Sequence, residues 1–520
     1  MHHAEDSVSG NPLYDGRRLD RPPEPTALVI FGATGDLTSR KLVPALYSLA
    51  VENRLPANYQ IVGFSRSPWS HDEFRTHLRA GALAFSRYPG QDSPLWDAFA
   101  QNLFYVSGHF GAAGDFERLD TFLAEQARLR GTPDNRLYYL AAPPQFFEAI
   151  VESLGHMKMG HDDSGGWRRI IIEKPFGHDL GTARALNRRL QQVFHERQIY
   201  RIDHYLGKET VQNLLVLRFA NAIFEPIWNR NYIDHVQISV AEAVGIGNRA
   251  GFYDQAGVIR DIFQNHLLQL LTLVAMEPPV AFEADAVRDE KVKVLRAMQV
   301  MSTEETQVSG VRAQYTTGVI DGERVPAYVD EPNVPPTSQT PTYAALKWYV
   351  DNWRWQGVPF YVRSGKRLVA RATEISIHFK CPPYLLFGNV DRPHDGDLRP
   401  NVLAMRIQPD EGIAVRFEVK VPGQGMDRRS VAMDFRYGTS FGTATLPDAY
   451  ERLLLDAMLG DATLFTRSDE IEHAWALIDP LLAVWESEQA PPLERYEAGT
   501  WGPDAADRLI EQDGRQWRRL

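Results

Sequence analysis

Apolar and polar residues follow two different patterns along the chain, and the change comes near residue 204. From Ala27 to Asp203, short apolar runs alternate with amphipathic segments, which is typical of βαβ units and a mainly parallel sheet. The predicted strands of this part are Ala27–Phe31, Gln60–Phe64, Leu103–Ser107, Arg136–Ala141 and Arg169–Glu173. We therefore expect an α/β domain at residues 26–203, preceded by an N-terminal arm at residues 1–25.

The second part of the chain combines helical and strand-like patterns. Two helix-like segments, Thr210–Ala220 and Gly257–Met276, surround a strand-like run from His235 to Val244. Alternating apolar residues then predict long antiparallel strands at Glu374–Lys380, Val402–Gln408, Ile413–Val421 and Val431–Tyr437. Helix-like segments follow at Asp448–Leu459 and Ser468–Glu486. We expect an α+β domain with a large, mainly antiparallel sheet at residues 204–520.

Overall charge and cysteine content exclude several classes of protein. Lys and Arg total 56 against 67 Asp and Glu, for a net charge of −11, so the chain as a whole does not attract nucleic acid or an anionic membrane. The single cysteine, Cys381, excludes an intrachain disulfide and a zinc site of several cysteines. The first residues lack the apolar core of a signal peptide, and the longest apolar run, near Leu267–Met276, is too short to span a bilayer. We expect a cytoplasmic protein without a membrane or nucleic-acid partner.

A glycine-containing turn follows the first predicted strand. Ala27–Phe31 leads into the sequence Gly-Ala-Thr-Gly at residues 32–35, and a helix-like segment, Arg40–Ala50, comes next. Glycines there allow the backbone to approach a pyrophosphate, which the N-terminus of the helix attracts. The spacing is GxxG rather than GxGxxG, so the alternative is a turn that needs glycine only for its dihedral angles.

The end of the second predicted strand bears on the choice of coenzyme. Gln60–Phe64 is followed by Ser65, Arg66 and Ser67, where a cofactor without a 2′-phosphate would usually meet an acidic residue. A guanidinium beside hydroxyl groups suits a phosphate, which favours NADP. The alternatives are a solvated arginine at a strand end, or NAD with the arginine stacked on adenine.

A dense group of polar side chains comes just before the helix-like segment at Thr210. Within residues 201–209, Asp203 supplies a carboxylate, and His204, Tyr205 and Lys208 supply hydrogen-bond donors. Donors near a helix N-terminus favour a phosphate monoester, so this group is a candidate phosphate site. An ordinary capping segment with surface charges is the alternative.

The helix-like segment Gly257–Met276 carries a histidine, His266, on or beside its apolar face. A core histidine without a catalytic role is the common alternative. Oxidation of a hemiacetal carbon to a lactone releases a hydroxyl proton to a base with a pKa near neutrality, and histidine meets that requirement. A carboxylate would orient the ring, and either Asp203 or Asp261 could supply it.

Four motifs together closely resemble the glucose-6-phosphate dehydrogenase family. They are Gly32-Ala-Thr-Gly-Asp-Leu37, Glu173-Lys-Pro-Phe-Gly177, Arg201-Ile-Asp-His-Tyr-Leu-Gly-Lys-Glu209 and Arg260-Asp-Ile-Phe-Gln-Asn-His266. The likeness runs from about residue 27 to beyond residue 440 and includes residues 228–235 and 363–366. It implies a Rossmann coenzyme domain followed by an α+β domain whose large sheet builds a dimer interface, in a homodimer or homotetramer.

The resemblance also assigns residues to the coenzyme. It places the dinucleotide turn at Gly32, Thr34, Gly35, Asp36 and Leu37. Arg66 would bind the 2′-phosphate, and Lys41 would lie near the nicotinamide end. Thr38 departs from the alanine that is usual in the family.

The same resemblance assigns the substrate site. His266 would be the general base for the C1 hydroxyl of the sugar, with Asp203 as its paired carboxylate. The implied phosphate-binding residues are His204, Tyr205, Lys208 and Lys366, and the residues implied to bind sugar hydroxyls are Glu242 and Asp261. Lys174 would lie between nicotinamide and sugar, and Arg371 is a further candidate for the sugar site.

These assignments predict an NADP-dependent dehydrogenase of glucose 6-phosphate that forms 6-phosphogluconolactone and NADPH, the first step of the oxidative pentose phosphate pathway. No metal is expected, because an imidazole supplies the base and nicotinamide accepts the hydride. Two alternatives stay open at this point. One is a dehydrogenase of free glucose or another hexose phosphate, and the other is a non-catalytic NADP-binding scaffold.

Overall fold

The strands of the chain form two large sheets and one small hairpin in a computed structural model, which describes residues 22–88, 94–161, 165–384, 399–423, 428–442 and 446–520. The predicted N-terminal arm lies almost entirely outside the described residues. In chain order the strands are β1 (Thr26–Phe31), β2 (Tyr59–Ser65), β3 (Leu103–Ser107), β4 (Arg136–Leu140), β5 (Arg168–Ile172), β6 (Ile199–Ile202), β7 (Ile233–Ala241), β8 (Gly310–Thr316), β9 (Gly318–Ile320), β10 (Glu323–Val325), β11 (Tyr343–Trp348), β12 (Phe360–Gly365), β13 (Ala372–Phe379), β14 (Val402–Gln408), β15 (Gly412–Lys420), β16 (Arg428–Arg436), β17 (Phe465–Thr466) and β18 (Leu493–Glu497).

The α-helices cover the faces and ends of these sheets. They are α1 (Val43–Val51), α2 (His71–Phe85), α3 (Pro94–Ala100), α4 (Ala113–Arg130), α5 (Phe147–His156), α6 (Leu180–Gln191), α7 (Glu209–Phe219), α8 (Ala250–Val258), α9 (Leu268–Ala275), α10 (Ala284–Ala297), α11 (Thr303–Ser309), α12 (Tyr437–Phe441), α13 (Ala449–Leu459), α14 (Ser468–Trp485) and α15 (Asp504–Glu511). Two short π-helical segments, Thr38–Leu42 and Ile259–Leu267, precede α1 and α9.

The first sheet has the strand order β17-β6-β5-β4-β1-β2-β3. Its strands are parallel except for β17, which is antiparallel to β6. The chain runs outward from β1 to β3 and then returns to the other side of β1 with β4. In such sheets a ligand binds in the crevice where the strand order reverses, which here is the end of β1 and β4.

The second sheet has the order β16-β15-β14-β13-β7-β12-β11-β8-β18 and is mainly antiparallel. In the register, Ala241 at the end of β7 lies opposite both Gly365, at the end of β12, and Ala372, at the start of β13. Residues that directly follow or precede these three positions therefore emerge at one edge of the sheet. That edge faces the segment of chain that carries His266.

A helix break sets the direction of the segment that carries His266. Gly257 has a φ of 61°, which is in the left-handed region, so α8 bends there before the π-helical segment begins at Ile259. All residues of the π-helical segment and of α9 are buried except Arg260, which is partly exposed. The helical segment expected at Gly257–Met276 is thus observed: it starts just after the break and is π-helical over Ile259–Leu267 and α-helical over Leu268–Ala275.

The predicted fold class is confirmed: a Rossmann-type parallel sheet is followed by a large, mainly antiparallel one. Predicted strand ends differ from the observed ones by a few residues at most, and Val421 lies beyond β15. The division of the chain at residue 203 stays a proposal. Helices α13 and α14, from the later part of the chain, pack against α1 and α6 of the first sheet.

Candidate active site

The turn after β1 is shaped for close approach of a ligand to the backbone. Gly32 has a φ of 88°, and a Cβ atom at this position would lie 2.7 Å from the carbonyl oxygen of Ala141, just after β4. Its N–H donates to the carbonyl of Phe64 at 2.9 Å, and its own carbonyl accepts from the N–H of Gly35 at 3.0 Å. Only glycine fits this position. The turn therefore lies in the crevice between β1 and β4.

The other predicted coenzyme residues surround this turn. The hydroxyl of Thr34 lies 3.1 Å from that of Ser65 at the end of β2, and the hydroxyl of Thr38 donates to the Gly32 carbonyl at 3.4 Å. The unusual Thr38 is thus satisfied within the turn. The side chain of Lys41 pairs with Asp448 at 2.9 Å.

Three further coenzyme residues differ in their exposure. The side chain of Asp36 is 90% exposed, and that of Leu37 packs on the core. Arg66 is exposed, and within the described ranges its guanidinium has no hydrogen-bond or ion-pair partner. A cation that is free in this way is available to an anionic ligand.

His266 and Asp203 form a buried pair at the centre of the site. The Nδ1 atom of His266 lies 2.5 Å from the Asp203 carboxylate, and the two side chains are 1% and 3% exposed. A carboxylate only accepts hydrogen bonds, so Nδ1 carries the proton and Nε2 keeps its lone pair. The N–H of Tyr205 also donates to the Asp203 carboxylate at 3.0 Å, which fixes it in place. Between the two carboxylates that the sequence left open, the structure pairs His266 with Asp203.

Lys174 lies on the other side of the imidazole. Its ammonium is 3.0 Å from Nε2 of His266 and 2.9 Å from the backbone carbonyl of Asp261. Since an ammonium only donates, Nε2 is the acceptor, in agreement with the tautomer set by Asp203. The imidazole is enclosed by polar and aromatic groups, including the ring of Tyr205 stacked 4.4 Å away and that of His204 at 4.6 Å.

Burial and charge keep this pair in the form that a general base requires. Burial lowers the pKa of His266, and the nearby Lys174 adds to this effect, although Asp203 opposes it. Burial by itself raises the pKa of Asp203, but the electrostatic interaction with His266 and the hydrogen bond from its Nδ1 outweigh burial and hold that pKa below its usual range. The imidazole is therefore neutral and the carboxylate ionised at neutral pH.

A second group of charges lies at the edge of the second sheet. The ammonium of Lys366 is 2.6 Å from the Glu242 carboxylate and 3.4 Å from that of Asp261. Glu242 and Lys366 directly follow the paired strands β7 and β12, which explains their contact. Two carboxylates and one ammonium can each hydrogen-bond a sugar hydroxyl. This group thus joins three residues that were predicted for the substrate.

A third group is basic and lies around Gln408, the last residue of β14. The amide oxygen of Gln408 accepts from Lys208 at 2.5 Å and from Arg371 at 3.0 Å. Its amide nitrogen donates to Thr373 at 3.2 Å, whose hydroxyl is 3.4 Å from that of Tyr205. Burial and the nearby guanidinium lower the pKa of Lys208 to about 8.

The predicted substrate residues thus divide into two groups. The sequence placed Lys366 with the phosphate-binding residues, but the structure places its ammonium beside Glu242 and Asp261. Arg371, predicted for the sugar site, lies beside Lys208, because both donate to Gln408. Gln408 and Thr373 were missed by the sequence analysis, because nothing about a glutamine or threonine at a strand end indicates a site.

Three side chains in the centre also lie close enough to share a metal ion. The ligand atoms of Asp203, His204 and His266 are within 4.8 Å of one another. However, Nδ1 of His266 already donates to Asp203, and its Nε2 faces the ammonium of Lys174. A positive charge at that distance disfavours a cation. The arrangement favours proton transfer.

Comparison with known proteins agrees with this site. The family model "Glucose-6-phosphate dehydrogenase, NAD binding domain" matches residues 29–213, and "Glucose-6-phosphate dehydrogenase, C-terminal domain" matches residues 215–518. Among curated relatives, the glucose-6-phosphate 1-dehydrogenase of Aggregatibacter actinomycetemcomitans is 48% identical, over 95% of this chain and 98% of that protein. Glucose-6-phosphate 1-dehydrogenase 2 of Mycobacterium tuberculosis is 45% identical, over 98% of each chain.

Solved structures give the same result. A structure of "Glucose-6-phosphate dehydrogenase in complex with its substrate glucose-6-phosphate" superposes with a TM-score of 0.87 at 35% identity, over 96% of this chain and 99% of that one. The glucose-6-phosphate 1-dehydrogenase of Mycobacterium avium superposes with a TM-score of 0.78 at 37% identity, over the same shares of the two chains. The family models, the relatives and the shared fold extend over nearly the whole chain, which therefore belongs to the glucose-6-phosphate dehydrogenase family.

Proposed function

We propose that the protein oxidises C1 of glucose 6-phosphate to give 6-phosphogluconolactone, with NADP as the coenzyme. The observation that carries this proposal is the chain of contacts from Asp203 through His266 to Lys174, with hydroxyl-binding carboxylates on one side and a basic group on the other. The purified protein should form reduced nicotinamide, followed by its absorbance, when given glucose 6-phosphate and NADP. Coenzyme binding without turnover would favour the non-catalytic scaffold.

The residues after β1 and β2 fit the coenzyme. The Gly32 turn leaves no room for a side chain and exposes backbone, as a pyrophosphate site requires, and the free cation of Arg66 suits the 2′-phosphate. Thr34, Gly35, Asp36 and Leu37 complete the turn, and Lys41 and Lys174 lie toward its nicotinamide end in this proposal. When bound, NADP accepts the hydride from C1 of the sugar.

The substrate is held at two ends. Lys208 and Arg371 bind the phosphate dianion together with Tyr205 and His204, and Gln408 positions the two cations. Glu242, Asp261 and Lys366 bind ring hydroxyls, so the sugar spans the gap between these groups. Binding energy at the remote phosphate then positions C1 for reaction.

Proton removal falls to His266. In the free protein its Nε2 lone pair faces the Lys174 ammonium. We propose that the C1 hydroxyl takes this place and that Lys174 stays beside its oxygen. As the O–H bond breaks, the proton moves to Nε2 and the C1 carbonyl forms. Asp203 holds the ring in orientation and stabilises the imidazolium, without itself becoming protonated.

The basic group separates this substrate from free glucose, which is the alternative in the same enzyme class. Lys208 and Arg371 share one neutral acceptor, the amide oxygen of Gln408, and neither forms an ion pair with a carboxylate among the described residues. Free glucose offers these cations no charge. A phosphate dianion supplies the negative charge that pairs with Lys208 and Arg371.

We expect the KM for glucose 6-phosphate to rise above about pH 8, since the pKa of Lys208 is lowered to about 8. The ammonium binds the dianion and its neutral amine does not, so affinity is complete below this pH and falls as pH increases through it. The value of kcat should stay level, because the bound dianion raises the pKa of Lys208 in the complex. Initial rates between about pH 6 and pH 10 check this. In Lys208→Arg the rise should vanish, and a wild-type KM that is flat across the range would contradict the assignment.

Arg66→Ala should weaken the binding of NADP strongly and that of NAD little. A charge-assisted hydrogen bond to phosphate contributes about 1.5–3 kcal/mol, so KM for NADP should rise roughly 10- to 100-fold. KM for NAD should change less than about threefold, because it lacks the 2′-phosphate. Arg79→Ala, an arginine of α2 outside the turn, serves as the control. Equal losses for the two coenzymes would remove the proposed role of Arg66 and leave NAD open as the coenzyme.

We further propose a homodimer or homotetramer built on the outer strands of the second sheet. Met433 of β16 is 61% exposed and Phe441 of α12 is 66% exposed. Large apolar side chains in water at the edge of a sheet are typical of an interface.

None of the described helices is both long and apolar enough to cross a membrane. A cytoplasmic location and the lack of a nucleic-acid partner remain predictions from the sequence.

A further inference from the structure

A buried tyrosine, Tyr105 in β3, holds the loop that follows β2. Its hydroxyl lies 3.0 Å from the carbonyl oxygen of Ser65 and 2.8 Å from that of Ser67, so one O–H group joins the carbonyls on both sides of Arg66. Tyr105 is 4% exposed. The mechanism proposed above makes no use of this hydroxyl, although it lies beside the residue proposed to bind the 2′-phosphate.

The Tyr105 ring is fixed from several directions. Its backbone N–H donates to Nδ1 of His71 at 3.0 Å. The ring contacts those of Phe74 and Trp69, with centroids 5.1 and 5.9 Å away. Burial raises the pKa of Tyr105, so the hydroxyl remains a donor at neutral pH. The hydroxyl is thus held at one position relative to the loop.

The two carbonyls depend on this hydroxyl to different degrees. The Ser65 carbonyl also accepts from the N–H of Gly108 at 2.9 Å. For the Ser67 carbonyl, Tyr105 is the donor that the described part of the chain provides. Loss of the hydroxyl would therefore free the loop on the far side of Arg66, while β2 itself stays paired.

The near side of the loop is tied to the glycine turn. The hydroxyl of Ser65 lies 3.1 Å from that of Thr34, and the N–H of Gly32 donates to the Phe64 carbonyl. The turn, Ser65 and Tyr105 thus form one connected unit. Arg66 extends from this unit into solvent, so its backbone is held although its side chain is free.

We infer that Tyr105 is a positioning residue that determines coenzyme specificity: its hydroxyl fixes residues 65–67 so that Arg66 meets the 2′-phosphate of NADP. This inference rests on the proposed function, in which Arg66 binds that phosphate. Tyr105 acts through Arg66 and touches neither the substrate nor the reacting atoms. A hydrogen bond with a purely structural role would also contribute to stability, but its loss would not change the preference for NADP over NAD.

Tyr105→Phe removes only the hydroxyl and tests this directly. Loss of one buried hydrogen bond predicts a rise in KM for NADP of about three- to tenfold, with KM for NAD and both kcat values nearly unchanged. A readout without turnover is calorimetric binding of adenosine 2′,5′-bisphosphate, which should weaken by a similar factor. Binding of adenosine 5′-monophosphate should not change.

Tyr138→Phe is the matched control. Its hydroxyl is also buried in the first sheet and donates to the Met159 carbonyl at 2.9 Å, away from the loop. This variant should lose comparable thermal stability and keep the wild-type ratio of KM values for NAD and NADP. If Tyr105→Phe also keeps that ratio, the inference is wrong.

Arg66→Ala separates this inference from the proposed function. If Arg66→Ala keeps the preference for NADP, both the role of Arg66 and the inference fail. If it loses the preference while Tyr105→Phe keeps it, only the inference fails. In the double variant Arg66→Ala/Tyr105→Phe, the KM for NADP should equal that of Arg66→Ala alone, because Tyr105 acts through Arg66. A double variant in which the fold-changes of the two single variants multiply would contradict this.

Discussion

His266→Asn is expected to lower kcat about 10³-fold, within the range that a general base contributes to proton transfer. The imidazole is placed by Asp203 at Nδ1 and has its lone pair at Nε2, and burial lowers its pKa so that it is neutral before reaction. Asparagine keeps a similar size and a donor toward Asp203, but it has no basic nitrogen. KM for glucose 6-phosphate should change less than about threefold, since other residues bind the phosphate and the remaining hydroxyls, and this ring contacts only the C1 hydroxyl.

Steady-state kinetics with saturating NADP measure this effect. His378→Asn offers a control, because His378 is also a buried histidine but lies in β13, stacked on His235 and away from the site. It should keep kcat even if it lowers the unfolding temperature. Near-normal turnover in His266→Asn with a correct fold would show that another group accepts the proton.

Lys208→Met combined with Arg371→Met is expected to lower kcat/KM for glucose 6-phosphate about 10³-fold. Each charge-assisted hydrogen bond to the phosphate contributes about 1.5–3 kcal/mol, and the two cations share the same neutral neighbour, Gln408. For free glucose, kcat/KM should change less than about threefold, because that substrate gives the cations no charge to bind.

Comparison of the two sugars makes this experiment informative. Lys293→Met, which removes an exposed lysine paired with Glu290 on α10, is the control for a lost surface charge. It should leave both sugars unaffected. Equal losses on glucose 6-phosphate and glucose in the double variant would mean that the cations support the fold of the site rather than the phosphate.

In the second sheet, the sequence predicted the strands best where apolar residues alternate with smaller or polar ones. Strands β13 and β14 show apolar alternation and were found close to their observed ends. Strands β11 and β12 were missed. The apolar residues of β12 are adjacent, at Phe360–Val362, and its polar residues follow them, so no alternation marks this strand. β6 has four residues, too few for a period to show.

Contacts between distant residues limited the prediction of the site. Periodicity could not choose between Asp203 and Asp261 as the partner of His266, because the pair that forms spans 63 residues. The motifs supplied each residue type, but only the register of β7 and β12 shows that Lys366 lies with Glu242. Only the side-chain contacts show that Arg371 shares an acceptor with Lys208. Gln408 is 37 residues from Arg371 in the sequence, and no local signal joins them.

The most direct test of the proposed reaction uses glucose 6-phosphate labelled with deuterium at C1. The purified protein is incubated with this sugar and NADP, and the reduced coenzyme is analysed by NMR. We predict that the deuterium is found at C4 of the nicotinamide ring, with one equivalent of lactone formed for each reduced coenzyme. Deuterium that stays in the sugar or passes into water would contradict the account.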